Sequence, residues 1–266
     1  GLFFPQLGWI HPPAACQLLA EHPLITRQTA RIENLHYEDD QWQALDADSH
    51  IVASAPVAII ATAYHSNHFA QTHHLPLKQI RGQISCLPAT AASRALKTVI
   101  CGEGYLAPAK DDMHTLGATY NIGETSLDVR AEDHQTNLQQ LAKTDTAAAA
   151  LFESVEPTAL SGRAAFRCTT PDYLPIAGPA PVMEDYLKDY ELLRKNARSH
   201  IPVAGSCWPG LYLNCGHGSR GMSYAPLCAE LIASELCGEV PPLSLELRQA
   251  VHPGRFIIRD MKRGKR

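Results

Sequence analysis

Leu211-Tyr212-Leu213-Asn214-Cys215-Gly216-His217-Gly218-Ser219-Arg220-Gly221, an apolar run giving way to a glycine cluster, decides how this chain is read. Leu211–Cys215 reads as a short strand and Ser219–Cys237 as a helix closed by Gly238. The glycines match G-x-G-x-x-G in the strand–loop–helix setting where that pattern cradles a dinucleotide. The dinucleotide unit also needs a second parallel strand ending in an acid. Here Glu239 runs into Val240-Pro241-Pro242 and little chain follows, so no βαβ unit is completed. The loop's physics still stands. Glycines let backbone amides come close to a ligand, and a helix start concentrates unpaired N–H donors and positive potential. An electron-rich or anionic ligand is expected there. The alternative is a plain tight turn, for which Cys215, His217 and Arg220 are an unusually elaborate setting.

Outward from this loop, Thr29–Ala63 alternates as short β segments separated by Glu38-Asp39-Asp40 and Asp46-Ala47-Asp48. It reads as a small meander ending in a fully buried strand, Val57–Ala61. Residues 78–87, 98–109 and 113–120 read as three further strands, with Gly102 and Gly104 marking a bend. Glu132–Ser154 reads as helix, Ala164–Thr169 and Leu174–Ala177 as strands, and Met183–Ala197 as a charged amphipathic helix. The pattern predicts an α+β fold: one large mixed sheet, mainly antiparallel, with few and late helices.

The chain's 266 residues carry 27 acids against 23 bases, a net charge of −4. That excludes a uniformly basic nucleic-acid binder but not a local basic patch. Arg255–Arg266 is such a patch, with six basic residues and one acid. It reads first as a disordered solvated end and second as a contact to a polyanion. No run of about 18 apolar residues predicts a membrane span. The start, GLFFPQLGWIHPP, lacks a basic region and is broken by prolines, unlike a signal peptide. Eight scattered cysteines without a CxxC pair read as free, mostly buried thiols of a reducing cytoplasm. His65, His68, His73 and His74 lack acidic or Cys partners at ligand spacing, so no metal site is expected.

Asn214–Gly221 followed by Ala225-Pro226-Leu227 resembles the C-terminal flavin loop of the D-amino-acid-oxidase-like flavoproteins. Gly8-Trp9-Ile10-His11-Pro12-Pro13, Arg81-Gly82-Gln83, Gly104-Tyr105-Leu106-Ala107-Pro108 and Gly162–Pro175 narrow the resemblance. They are similar to the branch that serves as the flavoprotein part of bifunctional tRNA-modifying enzymes.

The resemblance implies a substrate domain with a mainly antiparallel sheet plus remnants of an FAD-binding domain. The expected division is 1–63 (remnant with meander), 64–200 (substrate domain) and 201–266 (flavin-loop strand, helix and basic tail). Its cofactor is FAD. Its reaction oxidises the carboxymethylaminomethyl group on the wobble uridine of tRNA, passing hydride to the flavin. An imine then hydrolyses to the aminomethyl form and glyoxylate, and a methyltransferase half using S-adenosylmethionine methylates the amine. The implied partners are tRNA and that methyltransferase half, with no membrane.

Carried over position by position, Gly216, His217, Gly218, Ser219, Arg220, Gly221 and Met222 lie beside the flavin, with Arg81 and Gly82 near its ring. Arg167 matches the clamp on the substrate carboxylate, with a structural ion pair to Asp172 or a neighbour as its alternative, and Tyr105 lines the site. No general base is evident. The family's strand–GxGxxG–helix unit for the ADP half of FAD does not appear in residues 1–60, so the chain reads as a fragment expected to hold FAD weakly or not at all. Ala61-Thr62-Ala63 stands where the family often has a glycine. Two other readings remain: a small-molecule amino-acid or glycine oxidase, and a non-catalytic remnant of the substrate domain.

Overall fold

The computed structural model describes residues 1–265. In chain order the elements are α1 (Pro12–Ala20), β1 (Asn34–Glu38), β2 (Gln41–Leu45), β3 (Ile51–Ala55), β4 (Ala58–Ile60), β5 (Lys78–Pro88), β6 (Ile100–Cys101), β7 (Tyr105–Leu106), β8 (Met113–Gly117) and β9 (Asn121–Ile122). They continue with α2 (Ala131–Thr144), α3 (Thr146–Ala150), β10 (Ser161–Thr169), β11 (Ile176–Pro181), α4 (Met183–Asp189), α5 (Leu192–Lys195), β12 (Cys207–Cys215), α6 (Gly221–Cys237), α7 (Leu245–Val251) and α8 (Arg255–Lys262). The fold is α+β with mostly antiparallel pairing, but its strands form three sheets rather than one: β1-β2-β3, β10-β5-β8-β7-β6 with β9 also on β5, and β11-β12-β4.

Two compact units result, one of residues 1–26 and 80–166, the other of 27–79 and 167–266. These bounds differ from the expected 1–63, 64–200 and 201–266. The reason is a long-range pairing: β4 lies parallel to β12, with Ala58 opposite Leu211 and Ile60 opposite Leu213. That pairing draws the early meander and the late strand before the glycine loop into one core. Trp42, Ile60, Phe69, Leu75, Leu77, Ile176, Leu211, Leu213 and Phe256 share it.

In the first unit, Leu87, Leu106, Leu116, Leu141 and Phe152 pack the sheet against α2 and the segment after it. The expected helix 132–154 is broken at Asp145, whose carboxylate accepts from Ala148 N–H at 2.9 Å and caps α3. The expected strand 98–109 shrinks to β6 and β7 around the predicted glycine bend, where Gly102 N–H donates to Gly104 O at 2.8 Å.

In the second unit, α6 lays Cys228, Leu231 and Ile232 against Ala177 and Val251, and ends at Gly238 with φ +69°, the left-handed cap its glycine predicts. β4 is shorter and more open than expected. It is three residues long, lies at the end of its sheet, and leaves Ile59 exposed. Met183–Ala197 divides into α4 and α5, which bury Tyr186 and Leu193 against Ile257 and Met261. The basic tail is therefore corrected too. Arg255–Lys262 is helix α8, anchored by Phe256, Ile257 and Met261, not a solvated end, and Arg266 lies outside the described residues. None of the described helices is long and apolar enough to cross a membrane.

Candidate functional site

Parallel neighbours β4 and β12 end at the same edge of their sheet, and such an edge is where open sheets containing parallel strands receive ligands. From β4 the chain passes into Ala61-Thr62-Ala63, all exposed. Ala63 has φ +52°, a left-handed conformation that favours glycine. Thr62 Oγ1 lies 3.2 Å from Ser66 Oγ, and the buried Ser66 hydroxyl bonds to the Cys215 thiol at the end of β12. Burial, with Cys168 nearby, pushes that thiol up to about 12, and burial holds Cys168 at about 11 despite the Gly216 N–H pointing at it. Neither sulfur is a nucleophile at neutral pH. All eight cysteines are free, as expected, but Cys16, Cys101 and Cys237 are exposed and just Cys168, Cys215 and Cys228 are buried.

From β12 the chain enters the glycine loop. Gly216 and Gly218 have φ of +73° and +59°. A Cβ on Gly216 would come 2.8 Å from Thr170 Cγ2, and one on Gly218 would come 3.3 Å from Thr169 Cγ2. An antiparallel bridge between Thr169 and His217 fixes the loop on the end of β10. Arg220 N–H donates to His217 O at 3.2 Å, and α6 then begins with no side-chain cap and no acid in its first turn. Its first amides have no intrahelical acceptor and stand beside exposed Ser219, Arg220, Met222 and Ser223. Two buried polar atoms of the same loop, Asn214 Oδ1 and His217 Nδ1, have no hydrogen-bond partner among the described residues. Burial lowers the His217 pKa against a bond to the Asn214 backbone, which keeps its ring neutral at pH 7.

Arg167 is half-buried on β10 and two residues before Thr169, so the two side chains leave the same face of the strand. Asp172, named as its alternative partner, is bound by another arginine. That carboxylate is held bidentately by Arg255, Nε to Oδ2 and Nη2 to Oδ1 both at 3.1 Å. Burial alone would raise the Asp172 pKa, but Arg255 and the Thr170 hydroxyl outweigh it and lower it.

The remaining expected site residues, Arg81, Gly82 and Tyr105, belong to the other unit. Tyr105 is 37% exposed on β7, opposite Gly117. Gly82 is buried in β5, two strands away from β7 in the sheet order. Arg81 is 0% exposed, and its guanidinium serves acceptors of its own unit: Ser126 O, Asp133 Oδ2, Gln83 Oε1 and Asp128 O. The structure thus corrects its assignment to the flavin ring: Arg81 ties down the 126–133 segment. Thr169, Thr170 and Ser66 support the glycine loop without having been singled out. The signal for the two threonines lay in Thr169-Thr170-Pro171-Asp172, where small hydroxyl residues precede a turn.

The family described as FAD dependent oxidoreductase matches residues 1–235. The chain belongs to the FAD dependent oxidoreductase family. It is 47% identical over 269 aligned residues to the tRNA 5-methylaminomethyl-2-thiouridine biosynthesis bifunctional protein MnmC of Pseudomonas paraeruginosa (strain DSM 24068 / PA7), covering 100% of this chain and 41% of that protein. It is 46% identical to the protein of the same name from Chromobacterium violaceum, covering 100% of this chain and 40% of the relative. The chain thus spans about two-fifths of the length of these relatives.

Among solved structures it resembles glycine oxidase from Geobacillus kaustophilus, with a TM-score of 0.61 and 16% identity over 85% of this chain and 52% of that one. L-proline dehydrogenase from P. horikoshii gives 0.59 and 16%, over 85% and 53%. At such identities the likeness is one of fold. FAD, the cofactor of the family, suits what the β4–β12 edge offers: open first-turn amides, two glycines held where a Cβ would crowd the loop, and two buried polar atoms lacking a partner.

Proposed function

We propose that this chain is the oxidoreductase portion of a tRNA wobble-uridine modification enzyme. It oxidises the CH–NH group of 5-carboxymethylaminomethyl-(2-thio)uridine, yielding the 5-aminomethyl form and glyoxylate. The observation that carries this reading is the 47% identity along the whole chain, glycine loop included, to a relative named for tRNA 5-methylaminomethyl-2-thiouridine biosynthesis. The substrate is tRNA, the setting the cytoplasm, and the product amine goes to a methyltransferase half that uses S-adenosylmethionine. A small-molecule glycine oxidase shares the fold at 16% identity, far below the likeness to the tRNA enzymes.

FAD, when bound, takes up the hydride from the methylene carbon beside the substrate nitrogen. The chain's residues bind and orient. Gly216, His217, Gly218, Ser219, Arg220, Gly221 and Met222 hold the flavin end, and the uncapped start of α6 favours negative charge there. His217, kept neutral by burial, adds no competing cation. Arg167 clamps the substrate carboxylate with its planar fork, and the Tyr105 hydroxyl lines the substrate side.

The test is turnover of tRNA bearing carboxymethylaminomethyluridine by the FAD-loaded protein. Truncating one partner of a charge-assisted pair costs about 2–5 kcal/mol. Arg167→Ala is therefore expected to lower kcat/KM by at least about thirtyfold with the unfolding midpoint unchanged. Unchanged kinetics with a lowered midpoint would make Arg167 a structural residue and remove the clamp.

A further inference from the structure

A cavity of about 890 Å³ opens beside α8, away from the glycine loop in sequence and built by residues of the second unit alone. Arg255, Arg259, Lys262 and Arg263 line it, and no carboxylate among the described residues does. The ion pairs of α8 among the described residues are Arg255–Asp172 and Arg259–Asp260, the latter at 3.6 Å. Lys262 and Arg263 are exposed and pair with no carboxylate there. Arg259 Nε is buried without a hydrogen-bond partner, and its guanidinium lies over the Phe256 ring, 4.8 Å from the centroid, which holds its plane.

Ile201, Val203 and Ile258 give the wall an apolar stretch beside the polar Gln249 and His252, and Tyr190 is fixed by its hydroxyl, which donates to Val203 O at 3.2 Å and accepts from Gly205 N–H at 3.0 Å. Cations at the end of α8 complement its dipole, but that does not explain a roomy, partly apolar cavity with four cations and no acid among the described residues of its wall. Its volume lies in the ~300–1,000 Å³ range of small-ligand pockets, more than a lone phosphate fills.

We propose that this cavity seats one nucleotide of the RNA substrate, its phosphate on Arg259, Lys262 and Arg263 and its base against Tyr190 and the apolar wall. This rests on the tRNA reading above and extends it to a second contact outside the flavin edge. A base needs only an aromatic or apolar face to stack on, and each phosphate neutralised by a cation releases counterions.

The experiment uses the 266-residue chain, a labelled unmodified anticodon stem-loop RNA, AMP and inorganic phosphate, read by fluorescence anisotropy across salt concentrations. The double variant Lys262→Ala/Arg263→Ala is expected to raise the RNA Kd about tenfold and to flatten the plot of log K against log salt by roughly one to two. Lys97→Ala/Lys110→Ala, the same charge loss in the other unit, is expected to change neither. AMP is expected to compete at concentrations at least tenfold below those of phosphate.

Equal losses in both double variants, or no RNA binding at low salt, would overturn the proposal. AMP competing no better than phosphate would remove the base seat, and AMP binding without RNA binding would make this a free-mononucleotide pocket. Because the RNA is unmodified and no turnover is read, failure of the oxidation reading shows separately: modified tRNA would go unturned while the variant still lost RNA.

Discussion

Arg81 shows what a buried cation demands. Its Nε donates to Ser126 O at 2.7 Å, Nη1 to Asp133 Oδ2 at 2.6 Å, and Nη2 to Gln83 Oε1 at 3.1 Å. Asp133 in turn accepts from Asn121 Nδ2 at 3.0 Å, and Gln83 Oε1 from Arg130 N–H at 2.8 Å. The network pins the entry to α2 onto β5. Removing one partner of such a pair strands a buried charge at a cost of about 3–5 kcal/mol, whereas replacing both by apolar groups can be nearly neutral. Arg81→Met is therefore expected to lower stability by that amount in urea unfolding, and Arg81→Met/Asp133→Leu to recover most of it. A small loss in the single variant, accompanied by loss of FAD, would return Arg81 to the cofactor site.

At the scale of elements, the glycine loop and α6 act as one device, and Gly218 is where it is most exposed to test. With φ at +59° and a Cβ due 3.3 Å from Thr169 Cγ2, Gly218→Val adds a branched side chain in a conformation that such residues avoid. Left-handed backbone at such a residue costs about 1–3 kcal/mol. The expected outcome is an FAD affinity at least about tenfold weaker in a titration followed by flavin absorbance, with far-ultraviolet circular dichroism unchanged. An unchanged FAD affinity would mean that the loop does not approach the cofactor. This strand–loop–helix was legible in the sequence because its signals are local: an apolar run, glycines at fixed spacing, and Gly238 as a stop. The three-sheet division was not, because β4 finds β12 across some 150 residues and no local pattern encodes that pairing. Arg81 was misplaced for the same reason, its acceptors lying 45 and 52 positions away. Helix α8 was hidden by the charges in and after it, since Phe256, Ile257 and Met261 are few beside the six bases of 255–266. The break at Asp145 was readable, as an Asp before Thr146-Ala147-Ala148 is a helix start.

Across the whole molecule, buried titratable groups set a pH window for stability. Burial, reinforced by the Arg255 charge, lowers the His252 pKa from 6.5 to about 4, and burial lowers His217 and His134 as well. The unfolded chain binds protons at these histidines before the folded one does. Their contribution is therefore complete above 6.5 and is lost as pH falls toward the folded values. Asp172, held low in the folded state, acts in the same direction at more acid pH. The thiols form the other wall. Burial raises Cys168 and Cys228 from 9.0 to about 11 and Cys215 to about 12, so unfolding releases protons and stability falls as pH rises above 9. Stability is thus expected to be flat between about pH 6.5 and 9 and to fall on both sides. His252 alone accounts for up to about 3 kcal/mol of the acid limb, from its shift at 1.36 kcal/mol per unit. His252→Asn keeps a side-chain acceptor for the Gly254 N–H, which His252 Nδ1 now receives at 3.0 Å, but cannot take up a proton. Urea midpoints measured from pH 4 to 7 should fall less steeply in this variant than in the parent chain. An equally steep acid limb would place the titration elsewhere, at His217 or His134.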